Sequence, residues 1–119
     1  MVTAGKRCDR VADLLQKELA DLLLRRVKDP RVEGITITGV KVSGDLQHAR
    51  IFYCVMGTTA EANRVNAGAG LEKAKGFLRR ELAGRLHMRV VPQLEFQYDA
   101  SFDYGEKIER LLKELHQDE

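Results

Sequence analysis

Cysteine and histidine are the residues of this chain that could supply a nucleophile and its base. Cys54 and His48 have even spacing on a predicted strand and share one face, but at about 3.3 Å per residue they lie roughly 20 Å apart, too far for a dyad. His87 or His116 could approach Cys54 only through the fold, and no pattern indicates this. Cys54 is therefore interpreted as a small packing residue. The two cysteines show no spacing typical of zinc sites or disulfide frameworks.

Two other stretches superficially resemble ligand-binding loops. A calcium loop starting at Asp99 would need glycine at its sixth position and glutamate at its twelfth, where the chain has Tyr104 and Arg110. The glycine-rich stretch at 66–76, NAGAGLEKAKG, lacks the third glycine of a dinucleotide fingerprint, and the chain has no Walker motif. The sequence thus predicts no metal, no bound nucleotide, no other cofactor and no catalytic centre.

Charge is concentrated in one segment, residues 72–89, which holds six Lys/Arg and two acids, a net charge of +4. Because the whole chain carries +2, the remainder is −2, and this asymmetry is typical of a protein with a nucleic-acid-binding face. The alternative is a solvated helix face that neutralises itself, since Glu72–Lys75 and Glu81–Arg85 have the spacing of helical ion pairs. The cations are Lys73, Lys75, Arg79, Arg80, Arg85 and Arg89.

Gly76 lies inside this segment, where glycine costs a helix about 1 kcal/mol relative to alanine. We predict that the helix breaks there and that a second helix begins, with the amides of residues 77–79 exposed at its positive end. Such an end can bind a phosphate, and neighbouring cations would assist. A kink that only wraps the helix around the sheet is the competing, and compatible, explanation.

The elements that would position this segment follow from periodicity. A helix is predicted from an N-cap at Asp9 to Pro30, and a strand over Ile35–Val42 with a bulge at Gly39, where the apolar alternation changes phase. The first helix has one apolar stripe: residues 11, 14, 15, 19, 22, 23 and 27.

A second strand over 48–56 should pair with the first as an antiparallel hairpin and bury the face with Ala49, Ile51, Tyr53 and Val55. Its stretch Ile51–Met56 is the longest wholly apolar run of the chain, too short to span a membrane. A third strand is predicted over QLEFQYD (93–99), where Leu94, Phe96 and Tyr98 alternate with polar residues.

A capping box at Thr58 and Glu61 should open the helix that carries the basic segment to about Leu86. Ser101 or Asp103 should cap a last amphipathic helix, whose apolar residues are Ile108, Leu111, Leu112 and Leu115. The predicted order is α-β-β-α-(kink)-α-β-α, an α+β domain with helices packed on one face of a three-stranded sheet. We expect one domain over 1–119, with flexible ends at 1–8 and 116–119, in a reducing, cytoplasmic setting.

The order and spacing of several stretches resemble those of the ribosome-binding factor A family over nearly the whole chain. Its fold is similar to a type II KH domain, whose G-x-x-G loop normally clamps RNA. No two glycines here are three residues apart, and the family has a kink at Ala-x-Gly instead, which is Ala74-Lys75-Gly76 in this chain. The stretches that carry the resemblance are RVADLLQKELADLL (10–23), KDPRV (28–32), ITITGVKVSGDLQHARIFY (35–53), AKGFLRREL (74–82) and RVVPQLEFQYDAS (89–101).

The resemblance implies a non-enzymatic, monomeric factor that binds the immature 30S subunit and its 16S rRNA during late rRNA processing and folding, and is associated with growth in the cold. Together with the charge, it predicts RNA contacts along the basic segment. Two alternatives are a generic KH-like RNA-binding module acting outside the ribosome, and a protein-interaction domain that uses the open sheet face with Phe52 and Met56. The predicted RNA-binding residues are Lys73, Ala74, Lys75, Gly76, Arg79, Arg80, Arg85, His87 and Arg89.

Overall fold

The computed structural model describes residues 3–55, 61–101 and 111 of this chain. No helix in that part of the chain is long and apolar enough to cross a membrane. In chain order the elements are helix α1 (Thr3–Arg25), a 3-10 turn (Pro30–Val32), strands β1 (Ile35–Val42) and β2 (His48–Val55), helix α2 (Glu61–Leu86) and strand β3 (Gln93–Tyr98).

Helix α1 begins earlier and ends earlier than its sequence pattern predicts. It starts at Thr3, so Asp9 lies inside the helix and the predicted N-cap is wrong. The apolar stripe extends one turn upstream, because Cys8 is buried and its thiol donates a hydrogen bond to the Ser43 carbonyl at 3.3 Å. At the other end the helix stops at Arg25, and Pro30 opens the short 3-10 turn instead.

The described strands form a sheet in the order β1-β2-β3. Strands β1 and β2 pair antiparallel, and the register shifts between Ile37 and Gly39, which confirms the predicted hairpin and bulge. Thr38 is the extra residue of the bulge, and its hydroxyl donates to Asp99 Oδ2 at 2.6 Å. Helix α2 is the crossover that makes β2 and β3 parallel.

The core lies on one face of this sheet, against the two described helices. Ala49, Ile51 and Tyr53 of β2 are buried as predicted, whereas Val55 is only partly buried. The opposite face is mostly exposed and polar, although Cys54 on that face is fully buried. This arrangement confirms the predicted α+β fold. The fully buried leucines of the core are Leu15, Leu19, Leu22, Leu71, Leu78 and Leu82.

The predicted break at Gly76 is wrong, because α2 runs without interruption from Glu61 to Leu86. The helix therefore satisfies the amides of residues 77–79 internally, and no separate anion-binding helix end forms there. The helix-propensity penalty of glycine is about 1 kcal/mol. Burial of Leu78 and Leu82 contributes about 1.5–3 kcal/mol of stabilisation for each side chain, and both are buried only if the helix continues past Gly76.

The helix that follows β3 begins at Ala100, so Ser101 lies inside it. Asp99 occupies the capping position, since its Oδ1 accepts a hydrogen bond from the Ser101 amide at 3.1 Å. The rest of this predicted helix, apart from Leu111, lies outside the described residues, as does the predicted capping box at Thr58.

Candidate nucleic-acid interface

Helix α2 presents a row of exposed residues at helical spacing, which we call the outward stripe. Small residues alternate there with residues that can carry positive charge. The opposite side of the helix is buried against the sheet and α1. The outward stripe consists of Ala69, Lys73, Gly76, Arg80 and Gly84.

The glycines of α2 differ in what surrounds them. A Cβ added at Gly76 or Gly84 would meet no described atom within 4 Å, so packing inside the protein does not require glycine at either position. At Gly70 a Cβ would lie 2.9 Å from Val32 Cγ1 and 3.1 Å from Arg31 Cβ, so the Pro30–Val32 turn can pack against the helix only where this side chain is missing. Gly76 and Gly84 instead leave positions without side chains next to the cations of the outward stripe, so the helix backbone is accessible there.

Lys73 and Arg80 are the exposed cations of the outward stripe. Neither forms an ion pair with another residue in the described part of the chain. A surface of this kind lets a phosphate backbone approach the helix closely, and the two cations can then pair with it.

Three other predicted RNA-binding residues make contacts within the protein: Lys75, Arg79 and Arg85. Lys75 is half-buried, pairs with Glu72 at 2.8 Å and lies over the Phe96 ring, 5.9 Å from its centroid. Arg79 donates to the carbonyls of Val91 and Pro92, at 2.9 and 3.3 Å, and so ties α2 to the segment that leads into β3.

Arg85 connects α2 to α1. Its Nη1 lies 2.9 Å from Glu18 Oε2 and 2.7 Å from Asp21 Oδ2. The hydrogen bond to Asp21, followed by that to Glu18, raises the pKa of Arg85, and the bond from Arg85 lowers the pKa of Asp21. Arg85 therefore stabilises the packing of the two helices.

The remaining predicted residues lie around the outward stripe. Ala74 is half-buried beside the Pro30–Val32 turn, while His87 and Arg89 are exposed beyond the end of α2. His87 has a φ of 52°, a left-handed conformation that ends the helix at a position where glycine is more common. The structure thus brings Lys73, Gly76 and Arg80 together on one surface.

Sequence reasoning did not connect the Pro30–Val32 turn with the basic helix. Asp29 caps the turn, because its Oδ1 accepts a hydrogen bond from the Arg31 amide at 2.9 Å. Arg31 Nη2 donates a second hydrogen bond to Asp29 Oδ2 at 2.7 Å. The side-chain hydrogen bond from Arg31, then the backbone bond, lowers the pKa of Asp29 to about 2, and the charge of Lys73 contributes. The signal in the sequence is the pair of cations, Lys28 and Arg31, on either side of the proline in KDPRV. Folding places their positive charge beside Lys73.

The candidate nucleophile Cys54 and the candidate base His48 do not form a pair in the structure. Cys54 is fully buried, whereas His48 is exposed at the other end of β2. Among the described residues, no cluster of His, Cys, Asp or Glu could hold a metal ion.

The topology and the helices on one sheet face define a small α+β domain of the KH-like class, with a basic outward helix face. A sequence-family model described as Ribosome-binding factor A matches residues 7–112, and the chain belongs to this family.

Individual relatives and structures agree with this assignment. A ribosome-binding factor A from Syntrophobacter fumaroxidans is 60% identical over 114 residues, covering 96% of this chain and 97% of the relative. The crystal structure of ribosome-binding factor A from Thermus thermophilus superposes with a TM-score of 0.67 at 25% identity, over 76% of this chain and 93% of that one. The fold is also similar to coordinates of the Thermus thermophilus ribosome binding factor A fitted into a cryo-EM map of a complex with 30S (TM-score 0.60, 28% identity, 72% of this chain and 88% of that one).

Proposed function

We propose that this protein is a ribosome maturation factor that binds the immature 30S subunit and its 16S rRNA and assists late processing and folding of that rRNA. Support comes from the family, from relatives named Ribosome-binding factor A, and from the similar protein fitted into a 30S complex. In this proposal residues 1–119 act as one domain in the cytoplasm, as a monomer and without catalysing a reaction.

We place the RNA contact on the outward stripe. The observation that carries this placement is the alternation of exposed cations with glycines that no internal contact requires. Lys73 and Arg80 pair with phosphates, Ala74 and Gly76 allow close approach, and His87 and Arg89 extend the surface. Lys75, Arg79 and Arg85 contribute by holding the helix in place, since each is engaged within the protein.

Charge reversal tests this placement. The variant Lys73→Glu with Arg80→Glu should lose most co-sedimentation with free small subunits at physiological salt, because two phosphate contacts become repulsive. The matched control is Lys41→Glu with Arg50→Glu, which changes the net charge equally on the exposed sheet face. Equal binding by the stripe variant and the wild type would contradict the proposal.

The same pair of variants tests one of the two alternatives, and a comparison of RNA ligands tests the other. A protein-interaction domain that uses the open sheet face would lose partner binding with the control variant and keep it with the stripe variant, and its binding would survive high salt. A generic KH-like module would bind short single-stranded RNA as tightly as intact immature subunits.

A further inference from the structure

A cleft of about 550 Å³ lies between the Pro30–Val32 turn and the middle of α2, beside the outward stripe. Its volume is within the range of pockets that hold small ligands. Gly70 lies in its lining, where the missing side chain lets the turn dock onto the helix. Its lining includes Arg26, Lys28, Asp29, Arg31, Lys73 and Phe77.

The cleft is electropositive. It has four cations and one carboxylate, and the carboxylate of Asp29 is held by Arg31. Lys28 and Lys73 are exposed on its rim and are available to an anion. Lys73 also belongs to the outward stripe, so an anionic chain lying on the stripe would continue directly into the cleft.

The cleft also has a surface for a flat apolar group. Phe77 is half-exposed there, and the Arg26 guanidinium lies 6.0 Å from the centroid of its ring. Arg26 is anchored by Glu81 at 3.1 Å, with about half of its side chain still exposed. Bases unstacked from single-stranded RNA bind to surfaces of this kind, on aromatic rings and guanidinium planes.

We infer that this cleft holds one unstacked nucleotide of single-stranded rRNA, with the base against Phe77 and Arg26 and the phosphate at Lys28 and Lys73. The inference rests on the proposed function and deepens it, since it states that the factor takes an unpaired nucleotide in addition to a phosphate backbone. Charge complementarity and continuity with the outward stripe favour RNA as the occupant over a protein segment.

The test measures binding of full-length variants to free small subunits and to deproteinised 16S rRNA. Phe77→Leu keeps an apolar side chain but removes the ring, and should weaken both interactions by about fivefold or more, the lower end for one base–aromatic stack. Phe77→Tyr should keep wild-type binding, because the aromatic ring is retained. The control is Phe52→Leu, a half-exposed aromatic on the opposite sheet face that also has a cation over its ring.

Photocrosslinking provides a direct readout. Irradiation of the wild-type complex with 16S rRNA should link RNA to the peptide that contains Phe77, and thermal melting should show that each variant is folded. Wild-type affinity of Phe77→Leu, or equal losses for the leucine and tyrosine variants, would overturn the inference. So would a loss confined to protein-containing subunits, which would assign the cleft to a protein segment.

These outcomes are distinguishable from failure of the proposed function. If Lys73→Glu with Arg80→Glu abolishes subunit binding while Phe77→Leu does not change it, the cleft assignment is wrong and the function stands. If both variants bind like wild type, both contact assignments are wrong although subunit binding stands, whereas the proposed function itself is wrong if the wild-type protein does not bind free small subunits.

Discussion

Gly70 and Gly76 lie on the same helix, and their surroundings give them different roles. The first is buried under Val32 and Arg31, whereas the second faces outward with open space where a Cβ would be. Gly76 is not among the glycines with positive φ, so alanine fits its backbone conformation. Its helix-propensity cost is therefore not offset by any contact within the described protein.

We expect Gly76→Ala to raise the free energy of unfolding by about 0.5–1 kcal/mol, through helix propensity and a less flexible unfolded chain. Gly70→Ala should lower it by about 1 kcal/mol or more, because overpacking against a stiff valine outweighs that gain. Urea unfolding of the two variants tests both values.

Since the added methyl at 76 lies on the proposed RNA face, Gly76→Ala should also bind small subunits more weakly. A more stable variant with unchanged affinity would argue against close RNA approach there.

Asp29 makes stability depend on acid pH. Its pKa is about 2 in the folded protein, below the ordinary value of 3.8, because the folded state favours the ionised carboxylate paired with Arg31. That stabilisation is complete above the unfolded-state pKa and is lost as the pH falls through the folded-state pKa. Asp29→Asn should therefore be less stable than wild type above about pH 4 and approach it near pH 2. Urea titrations across this range test the prediction, which parallel curves for the two proteins would contradict.

At the scale of elements, α2 is the part that connects the others. It packs on the sheet, carries the crossover between the parallel strands, and is tied by Arg79 to the segment preceding β3. The carbonyls that Arg79 reaches belong to Val91 and Pro92, both buried residues. Adjacent arginines on this helix therefore differ in role, since Arg80 faces outward.

Arg79→Met should lower the free energy of unfolding by about 1–2 kcal/mol, because two carbonyls beside the core lose a charged donor. Arg80→Met should leave stability within about 0.5 kcal/mol and weaken binding to small subunits instead. Chemical unfolding and co-sedimentation of the matched pair separate the two effects. If Arg79→Met were as stable as wild type but defective in binding, Arg79 would belong to the RNA contact after all.

At the scale of the whole molecule, the charge distribution determines how binding should depend on salt. The segment 72–89 carries +4 and the remainder of the chain −2. Binding to a phosphate backbone releases counterions in proportion to the phosphates neutralised, whereas apolar docking does not.

We therefore expect the logarithm of the association constant for small subunits to fall linearly with the logarithm of salt concentration. Lys73→Gln with Arg80→Gln should reduce the magnitude of that slope by about 2, one for each phosphate contact removed. The control Lys41→Gln with Arg50→Gln should keep the wild-type slope. Equal slopes for all three proteins would place the contacts elsewhere.

Much of the fold could be predicted from local pattern. The phase change at Gly39 predicted the bulge, alternation in β2 predicted which face is buried, and the order of the elements predicted a three-stranded sheet. Period-two and helical spacing report directly which residues share a face, and these elements follow that spacing. The predicted break at Gly76 is wrong, because the burial of Leu71 and Leu78 on both sides of it outweighs the local propensity penalty of glycine.

The sequence by itself determined the strands, the fold class, the family and the segment where positive charge accumulates. Only the tertiary structure decided which cations of that segment face outward. Its cations point in several directions around α2, and helical periodicity alone does not say which direction meets the sheet. Lys75 pairs with Glu72 at the helical spacing that the sequence indicates, but Arg85 pairs with Glu18 and Asp21 of α1 instead of with Glu81. Packing also turned Arg79 inward, left Lys73 and Arg80 exposed beside open glycines, and placed the Pro30–Val32 turn against Gly70. Contacts between residues distant in sequence are set by how the elements pack, and no local spacing encodes them.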